Sequence, residues 1–487
     1  MTLLNFISFA SQVIIISFPF LLISGSFLPD AACVLIGIFY LIFAIKNKNL
    51  VECKNYIIYF LILIFIYINL NSFFSFNPKI SFGTSLPFFR IILFIIGLSY
   101  FLNKYKNLKI YFFYSSCVSI CLLLIDSFVQ YFYGINLIGL KLLDETRVSS
   151  FFGKELIMGS FIARILPLVL ALSYFVVSIH IKNIRTTILF FSGILVLLSG
   201  ERTSFLLYLF SLILFLFLNY NKKKIFIFLL ILSLPFFFLF SFNSKPLNRI
   251  FYHTYNQLNE TGNIFNFSYR HNLHFYTANK MFQDSKLIGQ GVKSFRFLCS
   301  NPKFTALSKI IEDKKFISPK SGYVYFSADD AKRYVFITPK KNNNPNIIDR
   351  AFDEGLYTFP IEIFYLQYVE NGTFVEKDEK LFVSYEFKDG CNTHPHNFYW
   401  QFLSELGVVG FLLFFVIFIF STYKIIRFAI KKIKKKLSNK EKFESFIFLS
   451  ICITLLPMIP SGNFFNNWLL IIIHLPIGFY LALRHNK

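Results

Sequence analysis

Along most of this chain the apolar residues neither alternate nor recur at helical spacing; they run in long continuous blocks separated by short polar connections. Blocks of that length match the roughly 20 apolar residues that carry a helix across a bilayer. They cover 8–26, 30–45, 56–73, 86–102, 110–131, 158–179, 186–200, 203–219, 225–242, 398–420, 444–460 and 467–483. The expected fold class is a polytopic α-helical membrane protein with about twelve transmembrane helices. Residues 1–242 would hold spans one to nine and residues 398–487 spans ten to twelve, which leaves 243–397 as one polar domain between the ninth and tenth spans.

That polar domain changes character along its length. In its first part, 245–300, Tyr269, Leu273, Tyr276 and Met281 give an approximate helical stripe ahead of a turn at Gly289 and Gly291. Farther on, "GYVYF", "RYVFITP", "LYTFPIEIFYLQYV" and "KLFVSYEF" are rich in β-branched and aromatic residues, and "KKNNNPN", "ENG" and "KDG" interrupt them. A small antiparallel sheet is expected at about 322–388, making the domain α+β. No internal repeat of domain-building length stands out.

Composition excludes a soluble enzyme: of 487 residues 55% are hydrophobic and only 15% charged, against about 25% charged in ordinary globular chains. The formal charge of +23 raises the question of nucleic acid, and its placement answers it. With a cytoplasmic amino terminus, the inside connections hold 22 Lys and Arg and the short outside ones five. That bias puts both termini in the cytoplasm and the polar domain outside. The lysine-rich stretch 424–442 then orients a span or meets anionic lipid, and no nucleic-acid partner is expected. The first 45 residues hold no Lys or Arg and no convincing cleavage site follows the first block, so that block is expected to stay as a span.

Of seven cysteines, Cys299 and Cys391 are the only two in the external domain. An oxidising outer compartment favours pairing them over leaving two free thiols. The bond would constrain the unfolded chain by roughly 4 kcal/mol in the chain-entropy model.

Charged side chains in or beside spans are costly enough to call for a role. Arg90, Asp126, Glu155, Arg164, Arg202 and Glu405 all fall toward the outer ends of their spans, so a polar site opening outward is expected. Snorkelling to headgroups is the alternative for Arg90 and Arg164. It suits Arg202 less well, because in "LLSGERTSFLLY" two spans meet with almost no loop and a glycine lets them approach. The segment "CNTHPHNFYWQFLSELGVVG" then sets Asn397, Gln401 and Glu405 at i, i+4 and i+8 on one stripe of an apolar helix, after His394 and His396. Two histidines two apart, without a nearby third ligand, are a weak metal arrangement. Helix capping and an imidazole able to take a proton near neutral pH are the other readings.

These residues carry a resemblance. "SGERTSF", "YRHNLHFYTANKMFQDSKLIGQGVKSFR" and "HPHNFYWQFLSELGVVGF", with "DSFVQYFYGINLIG", "RVSSFFGKELIMGSFIARILP" and "MIPSGNFFNNWL", resemble the successive signatures of the O-antigen ligase family, which shares the domain of O-antigen polymerases. The long β-rich insert before His394 departs from that pattern. The resemblance implies a bacterial inner-membrane glycosyltransferase, without cofactor or metal, whose active site faces the periplasm. It would move a glycan with inversion from an undecaprenyl diphosphate donor to a sugar hydroxyl, that of the lipid A core in a ligase or of another lipid-linked repeat in a polymerase. A transporter or flippase, the reading from another class, would show related halves around broken mid-membrane helices, and none stand out. Under the ligase reading Arg202 and Arg270 are the principal diphosphate contacts, with Arg147 and Arg164 secondary. His396 activates the acceptor hydroxyl, His394 is the second choice, and Asn397, Gln401 and Glu405 support them.

Overall fold

The computed structural model describes residues 3–47, 54–220, 244–261, 269–301, 303–304, 322–327, 333–339, 356–360, 374–377, 380–385, 390–457 and 459–484. Its helices are α1 (Leu3–Ile23), α2 (Phe27–Asn47), α3 (Tyr56–Phe73), α4 (Pro78–Ser85), α5 (Phe89–Lys104), α6 (Leu108–Tyr133), α7 (Met158–Leu172), α8 (Ile181–Leu198) and α9 (Arg202–Asn219). After these come α10 (Lys245–Ile250), α11 (Tyr252–Thr261), α12 (Tyr269–Asp284), α13 (Phe295–Leu298), α14 (Phe398–Lys434), α15 (Asn439–Thr454) and α16 (Asn467–Arg484). Among the described residues nine helical segments are long and apolar enough to cross a membrane, counting Pro78–Lys104 and Met158–Phe175 as one each. The sixteen-residue α15 and the eighteen-residue α16 overlie the blocks expected at 444–460 and 467–483. The block at 225–242 lies outside the described residues.

Local chemistry starts and stops these helices. The Asn55 side chain accepts from the Ile57 amide at 3.0 Å to cap α3, and Ser438 and Glu441 form a reciprocal capping box at α15. Gly134, at φ 74°, closes α6 in the left-handed conformation that glycine adopts without strain. Helix α7 is buried at every position but Ser160, the mark of a helix enclosed by others. It packs against α6, α8, α9 and α15, so Arg164 stands within the bundle.

The expected helical stripe of the polar domain is corrected in one respect. Tyr276 is exposed, and the buried face of α12 is Leu273, His274, Thr277, Ala278 and Met281, which packs toward α14. Strands β1 (Gly322–Ser327), β2 (Arg333–Pro339), β3 (Leu356–Pro360), β4 (Phe374–Lys377) and β5 (Lys380–Tyr385) form an antiparallel sheet in the order β3-β1-β2-β5-β4, with Val335 opposite Val383.

At about 1.5 Å per residue, the 37 residues of α14 reach well beyond a hydrocarbon core of about 30 Å. The helix is interrupted at Gly407, where φ is 66° and ψ −169°. The break is filled by the segment after α12. Gln290 and Gly291 amides donate to the Ser404 and Glu405 carbonyls at 2.9 and 2.8 Å, the Val408 amide donates to the Lys286 carbonyl at 2.8 Å, and Tyr67 Oη donates to the Leu406 carbonyl. Backbone freed inside apolar surroundings is thereby re-satisfied by protein.

Two glycines permit that approach. A Cβ on Gly407 would fall on the Leu287 carbonyl, and one on Gly289 would meet the Gly407 nitrogen at 2.5 Å. The Gly407 conformation is essentially glycine-only and costs other residues about 1–3 kcal/mol before any clash. Gly407→Ala is expected to destabilise the protein by at least about that much, read as a lower melting temperature in detergent. An unchanged melt would show that the break does not need glycine.

Candidate functional site

A cavity of about 780 Å³ opens where several connections converge. Ser24–Ser26 follow α1, Phe151–Ile157 precede α7, Lys293 and Arg296 bracket the start of α13, and Gly462–Leu469 lead into α16. Arg164 and His394 complete its polar wall, with Phe152, Phe465 and Trp468 among the apolar members.

Arg164 is only 3% exposed, which excludes snorkelling. One guanidinium nitrogen donates to the Ser160 hydroxyl, and Nε has no hydrogen-bond partner among the described residues. Glu201 stands behind it. Its carboxylate accepts from the Gly159 amide at 2.9 Å, the Ser160 amide at 3.1 Å and the Ser204 hydroxyl at 2.8 Å, tying the start of α9 to the start of α7. Burial pushes the Glu201 carboxyl up, against the opposing field of Arg147 and, more weakly, Arg164. The close approach in "SGERTSF" is made by Gly200, at φ 62°: a Cβ there would fall on the Thr146 carbonyl, so the glycine admits the loop before α7 and not the neighbouring span.

Arg202 and Arg147 lie off the cavity wall. Arg202 Nε donates to the Arg249 carbonyl at 3.2 Å, and Arg147 Nη2 donates to the Leu156 carbonyl at 2.5 Å. Arg249 in turn reaches Asp144 at 3.8 Å. The Arg270 side chain lies outside the described residues. Arg90 does not snorkel either; it pairs with Asp30 at 2.9 Å, and Asn467 donates to the same carboxylate.

The histidines belong to the same cavity region as Arg296. His394 is on the cavity wall, with Nδ1 2.9 Å from the Thr393 hydroxyl and Nε2 3.2 Å from the Ser461 carbonyl. The carbonyl can only accept, so Nε2 carries the proton and Nδ1 accepts from Thr393. Burial, with the nearby charges of Arg296 and His271, pulls the His394 imidazole down to about 4, and the hydrogen bond to Ser461 opposes this. His396 packs behind it with ring centroids 4.2 Å apart, and its Nε2 lies 3.0 Å from the Asn392 amide nitrogen. His396 holds a left-handed backbone at φ 54°, a strain met most often at functional positions. His271 and His274 complete the ring cluster, 5.4 and 5.0 Å from His396. No group of metal-binding side chains was found among the described residues.

The stripe on α14 faces the protein interior. Asn397 caps the helix, accepting from the Tyr399 and Trp400 amides at 2.9 and 3.1 Å and donating to the Pro457 and Ile459 carbonyls. Gln401 donates to Glu405 and to Asn463, each at 3.0 Å, and accepts from the Phe464 amide at 2.9 Å. Glu405 also accepts from the Phe295 amide at 3.3 Å. These three therefore hold the α13 and 459–466 segments in place behind the cavity. Asp126 does the same for the loop before α7, accepting from Asn136, the Leu137 amide and Ser150. A disulfide joins Cys299 to Cys391 and ties α13 to the histidine segment.

Five groups at the site stand outside the sequence expectations: Glu201, His271, His274, Lys293 and Arg296. Glu201 carried a signal, since an acid at a nearly loopless junction of two spans must find partners. Lys293 and Arg296 carried none, because cations in a polar loop look like ordinary surface charge.

No curated protein matches the chain. The family model described as O-Antigen ligase matches residues 187–325, from within α8 through α9, α12 and α13 into β1. The match includes "SGERTSF" and the "YRHNLHF" segment, while "HPHNFYW" lies beyond it. The likeness to the O-antigen ligase family is thus carried by residues 187–325, in a helical chain whose described residues include nine segments long and apolar enough to cross a membrane.

Proposed function

We propose that the protein is an O-antigen ligase that takes a glycan from undecaprenyl diphosphate and passes it, with inversion, to a sugar hydroxyl of the lipid A core. One observation carries the reading: a single cavity joins the cations Arg164, Lys293 and Arg296 to an uncharged imidazole, His394. The acceptor oxygen attacks the anomeric carbon, the bond to the diphosphate breaks, and its electron pair leaves on the phosphate. That growing charge needs fixed cations in a water-poor site. Guanidinium groups suit it, because their planar fork binds phosphate oxygens bidentately and stays charged. Arg164, on the cavity wall, is assigned to the diphosphate as its direct contact; Arg147 and Arg202, off that wall, add positive charge from behind, Arg270 is retained from the sequence, and Glu201 lies in the field of Arg147 and Arg164. The hydroxyl proton goes to the imidazole pair, His396 with His394.

The orientation follows from span alternation. The cavity draws on the connections after the first, fifth and eleventh of the twelve spans and on 243–397, which all fall on one side. With the lysine-rich connections on the other side, this supports a periplasmic cavity, cytoplasmic termini and an α+β domain in the periplasm of a cell with an inner membrane. Ligase and polymerase separate by phenotype. Loss of a ligase leaves long lipid-linked polymer, whereas loss of a polymerase leaves caps of one repeat; the first is expected for a deletion strain.

His396→Ala and His394→Ala are each expected to reach normal membrane levels while transfer to core oligosaccharide falls at least about a hundredfold; near-normal transfer by both would remove the imidazoles from the mechanism. A pH effect follows from His394. The folded imidazole protonates near 4 and the unfolded one near 6.5, so between these values the unfolded chain binds more protons. Stability is then full above about 6.5 and declines as pH falls through that window. His394→Gln should flatten the decline in melting temperature between pH 7 and pH 5, and an unaltered slope would mean that His394 is not its source.

A further inference from the structure

We propose that Lys293 and Arg296 form a second anion subsite, separate from the arginines around Glu201, that receives a phosphate or carboxylate carried by the acceptor saccharide. This rests on the glycosyl-transfer reading and adds to it the chemical class of the acceptor.

The cations near the cavity fall into two electrostatic groups. In the first, Arg147 and Arg164 act on Glu201, Arg249 faces Asp144, and Arg202 is bonded to the Arg249 backbone. Lys293 and Arg296 make the second: Lys293 feels the like charges of Arg296 and Arg90, and Glu405 lies within the field of both cations. Arg90 is already neutralised by Asp30. Glu405, the carboxylate that acts on Lys293, is committed to the Phe295 amide and Gln401. Among the described residues neither Lys293 nor Arg296 has a carboxylate at ion-pair distance.

Lys293 also holds a left-handed backbone, at φ 60°. A lysine kept where glycine would be unstrained, half-buried and on a cavity wall, points to work for its ammonium group. The pair stands beside the imidazoles: Arg296 acts on His394, and the Cys299–Cys391 disulfide fastens α13 to the histidine segment. That is the side on which the attacking hydroxyl is activated. One leaving diphosphate is matched by the first group, and a neutral acceptor would leave Lys293 and Arg296 facing it with only Glu155 on the wall and Glu405, already bonded to the Phe295 amide and Gln401, as acids.

The test uses the full-length protein in detergent and ligand-observed NMR titration with inorganic diphosphate, glucose 6-phosphate, glucuronate and glucose. Wild type is expected to bind one or both acidic sugars at least about tenfold more tightly than glucose, the scale of one charge-assisted hydrogen bond. The tighter of the two identifies the group as phosphate or carboxylate. Lys293→Gly, which relieves the backbone strain and should melt no lower than wild type, and Arg296→Gln should each remove that preference yet leave diphosphate binding within about twofold. Arg164→Gln should weaken diphosphate and spare the sugars. Equal binding of acidic and neutral sugars, or parallel loss of diphosphate and acidic sugar in the Lys293 and Arg296 variants, would overturn the second subsite. Failure of wild type to bind diphosphate would count against the donor reading instead, and the sugar titrations read independently of it.

Discussion

The structure turns on an interrupted helix. Opening α14 at Gly407 exposes backbone carbonyls and amides in surroundings where water cannot reach them, and each such group left unpaired costs several kcal/mol. The 286–291 segment and Tyr67 meet that demand. In doing so they place the residues that follow, Lys293 and Arg296, at the head of α13. They also leave the first turns of α14 as a short helix whose buried stripe grips the 459–466 segment through Gln401 and Asn463. The cavity wall thus depends on two glycines and a few backbone bonds set behind it.

The buried acids share one habit. Asp126 accepts from the Leu137 amide, Glu201 from Gly159 and Ser160, and Glu405 from Phe295. Each satisfies loop or helix-start amides, the orphan donors that apolar surroundings leave unmet. Because the carboxylates are bonded to backbone, they do not close ion pairs with the cations in front of them. Among the described residues Arg164, Lys293 and Arg296 line the cavity with no carboxylate at ion-pair distance, and Glu155 is the one acid on that wall. The positive character of that wall comes from its construction and not merely from the basic composition of the chain.

Much of this was legible in the sequence. Apolar runs located the helices because bilayer thickness sets their length, and Asn397, Gln401 and Glu405 announced an inward stripe by spacing alone. The roles of those residues were less legible. Asn397 is a helix cap and Glu405 a backbone anchor, because partners far away in sequence took up their hydrogen-bonding capacity. The Gly289–Gly291 pair read as a turn; that it docks into a helix break depends on Gly407, more than a hundred residues later. His274 was hidden by the more conspicuous tyrosines, yet the tyrosine at 276 faces out and the histidine lies on the packed face.

The disulfide explains how a cation and an imidazole separated by the β-rich insert can share one wall. Cys299 follows α13 and Cys391 precedes the histidine segment, and the bond brings their Cα atoms to 4.8 Å. The sheet-forming residues between them are therefore spliced out of the wall: whatever the insert does, Arg296 and His394 keep their separation. Since Arg296 acts on His394 and helps keep it uncharged, the cross-link also bears on the protonation state of that imidazole.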